Sequence, residues 1–85
     1  MKRAFSERDL AALAAQFRKQ AKKTRAEAAR EMQVSQTSIF HAEESPEQSL
    51  LKLRVRMIEA YSPFVVTGAF FFLKKQRTGT GEAEP

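Results

Sequence analysis

The chain has no cysteine, no tryptophan, a single histidine and only three glycines in 85 residues. Without cysteine, neither a disulfide framework nor a thiolate metal site can reinforce the core. One histidine with no second histidine or spaced cluster beside it gives no metal constellation, and no convergent carboxylates supply an acid and a base. The chain therefore reads as a non-enzyme that needs no cofactor. Long apolar runs are also missing: FVVTGAFFFL, the richest stretch, spans ten residues, is broken by Gly68 and is too short to cross a bilayer as a helix. The opening MKRAFSERDL carries charge where a signal peptide needs an apolar run. The expectation is an intracellular chain without membrane attachment.

What is present is enough for one small domain, because a chain this short cannot divide its apolar content between two cores. A short domain without covalent staples often borrows burial from a second copy of itself, which makes a homodimer an early expectation. Fifteen Lys and Arg against ten Asp and Glu give a net charge of +5, with the excess in residues 1–30. That balance points to anionic partners but not to a fold.

Local signals divide the chain. Ser6 is suited to N-cap a helix, with Glu7 and Asp9 favourable in its first turn. Leu10, Leu13, Ala14, Phe17 and Ala21 then share one helical face, and Arg18, Lys19, Lys22 and Lys23 lie opposite, so the first helix is expected to end near Lys23. Thr24 and Glu27 in TRAE form a capping box that starts a short alanine-rich helix, Arg25 to Met32. Ser35 caps a third helix almost at once, so two short helices meet through a tight turn. SPEQ from Ser45 reads as another start, with Ser45 as N-cap and Pro46 in the first helical turn. Along that fourth helix Leu50, Leu51, Leu53, Val55, Met57, Ile58 and Tyr61 cover more than one stripe, leaving Lys52, Arg54, Arg56 and Glu59 for the surface.

RAEAAREMQVSQTSIFHAEE, residues 25–44, resembles the helix-turn-helix of the lambda-repressor-like, Cro-type DNA-binding family. The similarity covers residues 8 to about 60 and rests on TRAEAA, Ala29 where the helices touch, Val34 in the turn, SQTSI opening the recognition helix and Ile39 beneath it. It implies a mostly α, four-helix Cro/repressor-like domain with a C-terminal β-strand or hairpin, and double-stranded DNA as partner. It also implies a cytoplasmic, prokaryotic or phage-encoded regulator. Small contacts at Ala29 hold the second helix proud of the surface, the geometry by which such a helix enters a major groove.

A 3.6-residue period places Gln36, Thr37, Phe40 and His41 on the outward face. Gln36 matches the family's base-reading glutamine and can pair with adenine; Thr37 can bond a base edge or lay its methyl on thymine. Phe40 has two readings, a contact to a thymine methyl or packing against a neighbouring helix. His41 can bond a base or a phosphate, or be a solvated surface residue. For phosphate the candidates are Arg25, Lys22, Lys23, Ser35 and Ser38, joined by Lys2 and Arg3. The resemblance further implies an Arg18–Glu43 ion pair joining the first and third helices. Gln33 stands where glycine usually supplies a left-handed backbone, so modest strain or a different turn is expected. Glu43, Glu44 and Glu47 would repel DNA, so the grip is expected on the N-terminal side.

Residues 1–5 read as a flexible basic arm, 6–61 as the DNA-binding domain, 62–75 as a β segment and 76–85 as a disordered tail. FVVTGAFFFL is either a hairpin turning at Thr67 and Gly68 or one kinked strand. It either pairs with a second copy across a two-fold axis through Val65, Val66, Phe70, Phe71 and Phe72, or folds back on its own helices. Two functions follow as expectations: a dimeric, sequence-specific repressor of phage, plasmid or toxin-antitoxin type, or a protein-interaction module such as an antitoxin that meets a toxin through the apolar strand.

Overall fold

In the computed structural model, residues 5–67 and the backbone of 72–75 are described. Four helices, α1 (Glu7–Gln20), α2 (Arg25–Met32), α3 (Gln36–Glu44) and α4 (Leu51–Tyr61), are followed by strands β1 (Phe64–Thr67) and β2 (Phe72–Lys75). The molecule is mostly helical. Residues 1–4 of the expected basic arm and the expected tail, with Lys2, Arg3, Phe70 and Phe71, lie outside the described residues, as do the side chains of β2.

The helix starts follow from local chemistry. At α1, Ser6 Oγ accepts from the Asp9 amide at 3.2 Å while Asp9 Oδ2 accepts from the Ser6 amide at 2.9 Å. Thr24 and Glu27 make the same reciprocal pair at 3.0 and 2.8 Å to open α2. Ser35 caps α3 by accepting from the Ser38 amide at 3.0 Å.

Two helix ends use non-glycine residues in the left-handed region. Lys22 has φ 61° and Gln33 φ 62°. Each sits at the bend of a paired C-terminal turn: Lys23 N–H donates to Arg18 O and Lys22 N–H to Lys19 O, and Val34 N–H donates to Ala29 O and Gln33 N–H to Arg30 O. The first of these turns ends α1 at Gln20, about a turn before the expected Lys23, and leaves Ala21 exposed. The second resolves the expectation at Gln33 in favour of a left-handed backbone with a side chain the conformation disfavours. Gln33→Gly should therefore raise stability by roughly 0.5–1 kcal/mol. A urea midpoint that stays put or falls would show that the turn carries no such strain.

The start of α4 differs from expectation. Ser45 N–H donates to His41 O, so Ser45 closes α3, and Gln48 N–H donates to Ser45 O at 2.9 Å, which makes SPEQ a turn with Pro46 in its second position. The helix begins only at Leu51, without a side-chain cap. The reason lies nine residues on. Arg54, expected on the surface, is fully buried, and its guanidinium donates to Ala42 O (2.9 Å), Ser45 O (2.8 Å) and Gln48 O (2.9 Å). The carbonyls of Ser45 and Gln48 turn inward to the cation and not along a helix axis, while Ala42 O belongs to the last turn of α3. Arg54 also reaches Glu7 at 3.0 Å, tying the first helix to the last.

The core runs between these helices. Leu10, Ala14, Ala28, Ile39, Ala42, Met57 and Ile58 are fully enclosed, with Phe17, Met32 and Leu53 nearly so. Ala28 and Ala29 let α2 lie close, and Val34 packs from the turn. After α4 the chain forms an antiparallel pair of strands, Phe64 opposite Lys75 and Thr67 opposite Phe72, so the hairpin alternative holds, while Gly68 of the expected turn lies outside the described residues. Strand alternation sends Phe64 and Val66 onto the protein's own core, with the Phe64 and Phe17 rings 6.0 Å apart. Val66 thus packs partly on the core, and Val65 lies on the opposite side of the strand. The β1 amides of Phe64 and Val66 donate to Ser62 Oγ (3.1 Å) and Glu59 Oε2 (3.0 Å). Phe5, expected in the arm, also packs against the core.

Candidate functional site

α3 is fastened from beneath and bare on top. Ile39 and Ala42 seat it on the core, and the Glu43 side chain is fully enclosed. Glu43 receives two arginines: Arg18 through Nε to Oε2 and Nη2 to Oε1 (3.1 Å), and Arg25 through Nε to Oε1 (3.0 Å). The forked guanidinium suits a buried carboxylate because both oxygens can be bonded at once. Arg18 also donates to Lys23 O at 2.7 Å, so the residue that anchors α3 closes the end of α1 as well. The expected Arg18–Glu43 pair is present, and Arg18 is buried rather than shared with the solvated cations of α1.

Above this anchor, Gln36 and Thr37 are exposed on the first turn. Phe40, one turn on, is 43% exposed, the large apolar side chain left open among the described residues. Phe40 is thus partly open, with the Arg25 guanidinium of neighbouring α2 over its ring. His41 is half-buried, hydrogen-bonded between Nδ1 and the Ser45 hydroxyl at 3.0 Å, and meets the Phe40 ring edge-on at 5.4 Å. Ser35 and Ser38 pair their hydroxyls at 3.0 Å. An open hollow of about 600 Å³ beside α3 is lined by Ser38, Val34 and Leu50 among others, but by neither Gln36, Thr37 nor Phe40.

The cations expected to hold phosphate divide into two groups. Lys22 is exposed at the bend after α1. Lys23 donates to Glu31 at 2.7 Å, and Tyr61 donates to the other Glu31 oxygen. Glu31's hydrogen bond and charge hold the Lys23 ammonium above its ordinary range, and the bonds from Lys23 and Tyr61 hold the Glu31 carboxyl below its own. Burial, then the bond to Glu31, pushes the Tyr61 phenol up. Arg25 is also occupied: besides Glu43 it donates through Nη2 to Glu44 at 2.9 Å, and its guanidinium lies over the Phe40 ring, 5.1 Å from the centroid. Glu44, expected only to repel DNA, is thus the partner of a cation in the same site.

Two of these placements differ in what the sequence signals. Arg54 falls four residues after Leu50 and four before Ile58, on the buried stripe of its helix, and that spacing was the available signal for its burial. No comparable signal exists for Arg25 and Glu44, which lie 19 residues apart on different helices. Among the described residues, no group of three or more His, Asp or Glu side chains could hold a metal ion, and no helix is long and apolar enough to cross a membrane.

No family model, curated protein or solved structure matches this chain.

Proposed function

We propose that this protein is a sequence-specific DNA-binding regulator that works as a homodimer, a repressor of phage, plasmid or toxin-antitoxin type, with α2 and α3 as a helix-turn-helix of the lambda-repressor-like kind. One observation carries the reading: α3 is pinned along its inner side while Gln36 and Thr37 stand exposed on its first turn, the part of a recognition helix that meets base edges. An exposed amide on a fixed backbone loses little conformational freedom when it bonds adenine N6 and N7, and Thr37 supplies a hydroxyl and a methyl beside it. The exposed ammonium of Lys22 contributes phosphate contact on the same, N-terminal side. Two copies joined through the hairpin, with Val65 on its outer side, would set two α3 helices about 34–36 Å apart on successive turns of a pseudo-palindrome. Repression follows by occlusion, since a bound dimer covers the promoter it reads.

Selection of duplexes from a random pool, followed by gel shift against competitor DNA at physiological salt, tests this reading. A preferred duplex is expected to bind at least about a thousandfold more tightly than random sequence. Gln36→Ala should cost about 1–3 kcal/mol of that preference at one base pair per half-site, without loss of fold because the side chain is exposed. Lys22→Ala should weaken binding to all sequences and lower the salt slope by about one ion. Equal affinity for selected and random duplexes would remove sequence-specific regulation as the function.

A further inference from the structure

Phe40 is the part of the outward face that hydrogen-bond readout leaves unexplained. An apolar ring 43% exposed between polar neighbours gains nothing from water, and it is not loosely placed. Arg25 lies over the ring at 5.1 Å and is held there by Glu43 Oε1 at 3.0 Å and Glu44 Oε2 at 2.9 Å. On another side His41 meets the ring edge-on at 5.4 Å, its own orientation set by the 3.0 Å bond to Ser45. The ring is therefore clamped, open outward, one helical turn beyond Gln36 on the same face.

A ring with no donor or acceptor cannot read the hydrogen-bonding pattern of a base pair. In the major groove the apolar group available to it is the methyl on C5 of a pyrimidine. We infer that Phe40 reads a pyrimidine C5-methyl group, with Arg25 and His41 as positioning residues that fix the ring. The two acidic residues then have a use: Glu43 and Glu44 keep the Arg25 guanidinium on the ring instead of letting it swing out to phosphate. This inference rests on the DNA-binding reading above and assigns that site a ligand class.

The test uses the full chain and the duplex recovered by selection. Each thymine is replaced singly by deoxyuridine, which removes the methyl and nothing else. One position per half-site is expected to lose about fourfold in affinity, the effect of exposing one buried methyl. In Phe40→Ala, with fold checked by thermal melting, that penalty should vanish while the dependence on the base pair read by Gln36 persists. Arg25→Gln should reduce the penalty without abolishing selection, a result that a purely structural role for Arg25 would not produce. Cytosine and 5-methylcytosine at the same position separate the two sources of the group: a response to deoxyuridine assigns thymine, and a response only to cytosine methylation assigns 5-methylcytosine. A methyl penalty that survives in Phe40→Ala, or no methyl response at any position of a well-bound duplex, overturns the inference and leaves the DNA-binding reading standing. If selection yields no preferred duplex, the DNA-binding reading itself fails and the inference falls with it.

Discussion

Arg54→Met is expected to destabilise the protein by about 3–5 kcal/mol, read as a large drop in the urea midpoint. The replacement fills much of the same volume with apolar atoms, so loss of packing is not the main effect. What is lost is the donor set for the carbonyls of Ala42, Ser45 and Gln48, together with the pair to Glu7. A buried carbonyl without a partner costs about 1–3 kcal/mol, and the loop carbonyls recover part of theirs from water. A domain of this size has about 4–13 kcal/mol in total, so the variant should sit close to the limit of folding. Arg54→Lys should recover only a fraction, because three donors on one nitrogen cannot reproduce a planar fork that reaches three carbonyls and a carboxylate. A loss below about 1 kcal/mol in Arg54→Met would mean that water replaces the guanidinium and that the α3–α4 connection holds its shape unaided.

Glu43→Gln should cost a similar amount, about 3–5 kcal/mol, from the removal of one charge at unchanged shape. The carboxylate is fully enclosed and the Arg18 side chain is only 8% exposed, so the arginine cannot recover its hydration where it lies. Arg25, one-third exposed, loses its anchor at less expense. The informative variant is the double replacement Arg18→Met with Glu43→Leu. It removes both charges together, and it should be more stable than either single change because no unpaired ion is left behind. Urea unfolding of the four proteins gives the coupling directly. A double variant as weak as the sum of the singles would mean that the pair is not an energetic unit.

These two sites also mark where sequence reasoning succeeds and where it stops. Caps at Ser6, Thr24 and Ser35 are local: donor and acceptor lie three residues apart, so the pattern on the page is the interaction itself. Period then supplies the faces, which is why Ile39 inside and Gln36 and Thr37 outside could be read in advance. Ser45 with Pro46 satisfied the same local rule and yet formed a turn, because Arg54 competes for the carbonyls and its preference is tertiary. The charge pair across 25 residues, Arg18 with Glu43, was implied only by resemblance. Nothing at shorter range distinguishes either residue from its charged neighbours. For Arg25 both the local and the family expectation aimed the side chain outward to phosphate. Its placement depends on Glu43, Glu44 and Phe40 all lying on the adjacent helix, and only folded coordinates bring them together.

The two ties at the C-terminal end of α3 have a dynamic consequence. Arg18 reaches it from the first helix and Arg54 from the last, so freeing α3 requires breaking buried contacts to both. The amides of its second half should therefore exchange with deuterium only when the whole domain opens, with no cheaper local route. Any change in where the exposed turn of α3 points must then come from movement of the domain as a body, and not from loosening of the helix.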